Sequence, residues 1–125
     1  MNEHKHNFDL EERTTEFAKR VIRLCRALAK NSINFRLSNQ AVGSAGSMGA
    51  NYREANDALG DKDFLFRMRI ARKETKECLH WLELVEEANP EFKSRMNELK
   101  QECREIKNIF STIISKKEHK KKEMN

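Results

Sequence analysis

The chain has 125 residues, 36% of them charged and 38% apolar, with a formal net charge of +5. That length fits one domain with a single core. No apolar run nears the roughly 20 residues that a bilayer crossing needs. The start from Met1 to Asn7 lacks the apolar centre of a signal peptide, so no membrane partner is expected and the cytoplasm is the expected compartment.

Turn punctuation is sparse, with one proline and four glycines, while Glu, Lys, Arg, Leu and Ala fill most positions. Both features favour helices over sheet. The first helix is predicted over 9–31, opening at Asp9 as N-cap with Glu11 and Glu12 complementing the macrodipole. Its apolar stripe is Leu10, Phe17, Val21, Leu24 and Leu28, with Cys25 alongside. Residues 1–8 are expected to be a flexible N-terminus.

From Ser32 to Ser38 the apolar Ile33, Phe35 and Leu37 alternate, and no second run offers a partner strand. The segment reads as a loop over the bundle end. A second helix over 38–59 turns Ala41, Ala45, Met48, Tyr52, Ala55 and Leu59 inward. Its Gly43, Gly46 and Gly49 each cost about 1 kcal/mol relative to alanine, so at least one should sit where another backbone comes close.

Gly60 reads as the C-cap of that helix and Asp61 as the N-cap of the third, over 61–88. Phe64, Met68, Ala71, Thr75, Cys78, Leu82 and Val85 form its seam, and Leu65, Leu79, Trp81 and Leu84 widen it. Pro90 opens the fourth helix, over 90–115, with Phe92, Met96, Leu99, Cys103, Ile106, Phe110 and Ile113 inward. The tail 116–125, KKEHKKKEMN, has no apolar period and is expected to be basic and disordered. Short connections make neighbours antiparallel. The expected fold is all-α, an antiparallel up-and-down four-helix bundle.

Candidate chemistry is thin. Cys25, Cys78 and Cys103 form neither a disulfide framework nor a zinc pair and read as small buried side chains. Glu77 and His80 spell Glu-x-x-His, but a di-iron bundle needs two such motifs and further inward glutamates. A helical ribonuclease of the HEPN type carries Arg and His closer together than Arg72 and His80. The Gly43–Gly49 run lacks the Lys-Ser/Thr ending of a phosphate loop. No catalytic residue, metal or cofactor is expected.

The cations are more suggestive. Lys19, Arg23, Arg26 and Lys30 step by four and three along the first helix, with Arg20 beside them. Arg69, Arg72, Lys73 and Lys76 cluster on the third, and the tail adds Lys116, Lys117, Lys120, Lys121 and Lys122. Such stripes neutralise phosphates with release of counterions. They also suit an ordinary solvated face, since many have Glu neighbours at helical spacing.

The stretch 44–55, SAGSMGANYREA, resembles the bacterial four helix bundle protein family, also called 23S rRNA intervening-sequence proteins. Phe64-Leu65, the run 70–77 (IARKETKE) and His80-Trp81-Leu82 extend the resemblance, which covers about Phe8 to Ser115. Departures are Cys78 and His80, where the family often has a hydroxyl residue and an aromatic. The resemblance implies an antiparallel bundle assembling as a homopentamer. It also implies an association with nucleic acid, since related proteins encoded beside diversity-generating retroelements engage nucleic acid and a reverse transcriptase. Among the motif residues, Gly46, Gly49, Asn51, Glu54, Glu74, Glu77 and Trp81 are expected to act structurally, the polar ones through interhelix or intersubunit hydrogen bonds, with Arg53 and Lys73 as ionic partners. Two functions follow as expectations: an oligomeric, non-enzymatic protein binding RNA or DNA, or a scaffold for a protein partner.

Overall fold

A computed structural model describes residues 2–124, with side chains over 10–123. Four helices follow in order: α1 (Asn2–Ala27), α2 (Ser32–Asn56), α3 (Asp61–Ala88) and α4 (Lys93–Met124), with a 3-10 turn at Pro90–Phe92 before α4. Each connection reverses the chain. α1 packs on α2, α2 on α3, α3 on α4, and α4 closes on α1, leaving α1 and α3 at opposite corners. This is an all-α, antiparallel up-and-down four-helix bundle.

The core assembles from residues spaced three and four apart. Phe17, Val21 and Leu24 of α1, Met48 and Tyr52 of α2, Met68 and Leu82 of α3, and Met96, Ile106 and Phe110 of α4 are buried. Tyr52 stacks on Phe110 with ring centroids 5.5 Å apart, joining α2 to α4 through the centre. Polar contacts lock the rim. Arg13 of α1 grips Glu102 of α4 through two hydrogen bonds of 2.7 and 2.8 Å and adds Glu105 at 3.0 Å. Lys100 of α4 meets Glu86 of α3 at 2.7 Å.

Gly49 answers the expectation of a close backbone approach. A Cβ there would stand 2.9 Å from Thr14 Oγ1 and 3.2 Å from Thr14 Cβ, where α1 crosses α2. Gly43 and Gly46 do not share this role, since nothing lies within 4 Å of a Cβ at either.

Several boundaries differ from the expectation. α2 begins at Ser32, not Ser38, because Asn31 caps it, its side chain accepting from the Asn34 amide at 2.8 Å. The alternation over 33–37 is a helix seen with its polarity inverted: Asn34 is buried while Ile33 and Phe35 are exposed. α2 ends at Asn56, so Leu59 falls in the connection and is fully exposed instead of inward. Gly60 is the N-cap of α3 rather than the C-cap of α2, and Asp61 lies in the first turn of α3.

The expected disordered tail is instead the last turns of α4. Near Phe110 the seam steps by four to Ile114 rather than by three to Ile113, which is half-buried. It then passes to the half-buried Lys117 and Lys121, whose aliphatic stems can cover an apolar surface while the ammonium stays wet. α1 runs from Asn2 to Ala27 rather than over 9–31, so Asp9 lies inside the helix instead of capping it and residues 2–8, expected to be flexible, are its first turns; Met1 lies outside the described residues.

The thiols fit the core reading. Cys78 and Cys103 are buried and Cys25 is half-buried, all three free. The neighbouring Cys78 thiol and burial hold Cys103 far above the ordinary thiol range, and burial raises Cys25 as well. Alkylation of the folded protein should therefore modify Cys25 alone, slowly, as read by mass spectrometry, with Cys78 and Cys103 reacting after unfolding. Early modification of Cys103 would contradict the packing of α3 on α4.

Candidate nucleic-acid interface

The expected basic stripe of α1 is solvent-facing. Lys19, Arg23 and Arg26 are exposed and Arg20 is half-buried, while Lys30 lies just past the helix end. Arg23 meets Glu16 at 3.2 Å, and the Lys30 ammonium donates to the Arg26 carbonyl oxygen at 3.2 Å. On α3, Arg69, Lys73 and Lys76 are exposed, whereas Arg72 leans toward α4 and donates to Ser111 Oγ at 3.5 Å. Because α1 and α3 occupy opposite corners, these two groups do not join into one surface in a protomer.

A different pair does join. The start of α3 and the end of α4 flank an open cleft of about 620 Å³, lined by Lys62, Arg69, Lys121 and Lys122 over a floor that includes Leu65. Two bridges tie its walls together, Arg69 to Glu118 at 2.6 Å and Lys117 to Asp61 at 2.9 Å, while His119 lies 3.0 Å from Glu123 one turn on within α4. The Lys117 ammonium also sits 5.3 Å from the centre of the Phe64 ring. Lys117 holds the Asp61 carboxyl below its ordinary range, with Lys121 and Lys120 adding to the effect. Lys62, Lys121 and Lys122 form no ion pair among the described residues. Lys62 escaped the sequence reading because Asp61 and Asp63 flank it; the signal was its step of four and three to Phe66 and Arg69.

The motif residues divide. Gly49 packs on Thr14, and Asn51 links α2 to α3, accepting from Arg67 at 3.4 Å while its own amide donates to the Ser47 carbonyl oxygen at 2.9 Å. Gly46, Glu54 and Glu77 are exposed. Arg53 serves Glu11 at 2.9 Å and Thr15 at 3.1 Å rather than a motif carboxylate. Glu74 is half-buried, and burial, then the nearby Glu77 charge, raise its carboxyl above the usual range. Trp81 is half-buried with the His80 ring at its edge, 4.9 Å between centres. Among the described residues no group of three or more His, Cys, Asp or Glu could hold a metal ion, and no helix is long and apolar enough to cross a membrane.

Residues 6–112 match the family model described as 23S rRNA-intervening sequence protein. The chain belongs to this family. A crystal structure similar to this intervening-sequence protein is that of a protein of unknown function from the S23 ribosomal protein family of Bacteroides thetaiotaomicron. The two share 30% identity over 87% of this chain and 97% of that one, with a TM-score of 0.79. No curated protein matches the chain.

Proposed function

We propose that this intervening-sequence protein is a non-enzymatic, cytoplasmic homo-oligomer that associates with RNA or DNA through basic helix faces. The observation that carries the reading is that Lys62, Lys121 and Lys122 line one cleft with no ion pair among the described residues, with Lys73 and Lys76 exposed further along α3. One such patch offers a modest, salt-sensitive affinity. Repetition around a ring, five-fold as the family resemblance implies, supplies avidity without any new contact.

A second reading, a scaffold for a protein partner, draws on a specific feature. Ile33 and Phe35 of α2 are 62% and 56% exposed, and Leu84 of α3 is exposed at the same end of the bundle. Reversal of Lys62, Lys73, Lys76, Lys121 and Lys122 to Glu separates the two, because none of these side chains holds an inter-helix bridge among the described residues. The nucleic-acid reading expects binding of a generic RNA to fall at least about 100-fold near 50 mM salt. Failure of the wild type to bind that RNA at low salt would leave the scaffold reading in its place.

A further inference from the structure

We propose that the outer flank of α3, together with the α4 end of the cleft, is a site for single-stranded nucleic acid, with Phe66 as a platform for an unpaired base. The inference rests on the nucleic-acid reading above and narrows it to one corner of the bundle and one form of polymer.

Lys62, Phe66, Arg69, Lys73 and Lys76 succeed one another at steps of four, three, four and three, and all five are exposed. They form one ridge along α3. From Lys62 to Lys73 this ridge covers about 16 Å at the helical rise, longer than any single phosphate and suited to a chain of them. Lys121 and Lys122 face Lys62 and Arg69 across the cleft. A phosphate backbone laid along the ridge therefore meets cations from two helices.

Phe66 sets the form of the polymer. It stands in the middle of this cationic ridge with 56% of its surface open, a costly place for an aromatic ring. The Arg67 guanidinium lies over the ring 5.7 Å from its centre, and more than half of the residue stays open beyond it. A base inside a duplex already has both faces occupied by its neighbours. An unpaired base has a free face, and stacking on an aromatic side chain with phosphates on adjacent cations is how single strands are held without sequence preference.

The test is fluorescence anisotropy with a labelled, unstructured 20-nucleotide RNA and with the same RNA annealed to its complement. The wild type should prefer the single strand. The triple reversal Lys62→Glu, Lys121→Glu and Lys122→Glu should weaken both probes at least about 30-fold. The α1 double reversal Lys19→Glu with Arg26→Glu should do much less.

Phe66→Ala and Phe66→Leu should each weaken the single strand about fivefold or more and leave duplex binding as it was. Phe66→Leu keeps an apolar side chain, so retained helicity by circular dichroism and unchanged mass by light scattering separate stacking from folding or assembly. Binding of RNA by the wild type with no loss in the Phe66 variants, or with an α1 reversal more damaging than the cleft reversal, would overturn this site while leaving the broader reading intact. Failure of the wild type to bind either probe at low salt would overturn both.

Discussion

Replacing Asn89 with alanine should lower the free energy of unfolding by about 3 kcal/mol, because it strands a buried amide at the end of the bundle. Asn34 and Asn89 are 3% and 2% exposed and bond each other head to tail. The Asn34 amide nitrogen donates to Asn89 Oδ1 at 3.0 Å, and the Asn89 nitrogen donates to Asn34 Oδ1 at 2.8 Å. Each amide holds one more carbonyl: Asn34 that of Ala29, and Asn89 that of Val85, both at 2.9 Å. Two side chains thus tie the α1–α2 connection, the start of α2 and the end of α3 into one knot.

Alanine at 89 leaves Asn34 Oδ1 and one of its N–H groups with no partner, each costing about 1–3 kcal/mol when shielded from water. Urea unfolding measures the loss. The Asn34→Ala/Asn89→Ala double variant should cost less than the sum of the singles, with a coupling of about 1–2 kcal/mol. Strictly additive effects would mean that the pair is not made in solution.

Gly49→Val should destabilise the protein by about 3 kcal/mol through overpacking where α1 crosses α2. The first added carbon already falls 2.9 Å from Thr14 Oγ1, and Thr14 is fully buried and tied to the Glu11 carbonyl oxygen at 3.0 Å. Valine then adds two methyl groups in the same space. Gly43→Ala and Gly46→Ala are the matched controls: both sites are helical and open, so each should gain about 0.5–1 kcal/mol from reduced backbone freedom. The opposite signs within one helix make this a test of the crossing itself, read from thermal or urea midpoints. Equal effects at all three glycines would place α1 elsewhere.

Most of the seams were legible because burial of a helix follows spacing. Phe17, Val21, Leu24, Met48, Tyr52, Met68, Leu82, Met96 and Ile106 are all inward as their periods require. The errors lie where another force outranks spacing. A polar cap at Asn31 and a buried amide at Asn34 start α2 at Ser32, six residues before the expected Ser38. Beyond Asn56 the helix has ended, so the period that reached Leu59 carried no information about burial. The tail looked disordered because it has no apolar period, yet ion pairs to Asp61 and Arg69 of α3 hold its first turns.

The candidate interface was legible only in part. Individual cations could be identified as surface residues from their helical positions. Which of them share a surface depends on the order of helices around the bundle, which no single helix encodes. That order sets the α1 stripe apart from α3 and brings Lys121 and Lys122 beside Lys62 and Arg69.

The central functional claim is that this protein meets a phosphate backbone with cations left unpaired by the fold. Titration of an unstructured RNA at a series of salt concentrations tests it most directly. Each phosphate contact contributes a slope of about −0.7 in log affinity against log salt for a single strand. An assembly using Lys62, Lys73, Lys76, Lys121 and Lys122 from even one protomer should therefore show a slope near −3 or steeper. A flat salt dependence, or no binding at low salt, would contradict the account.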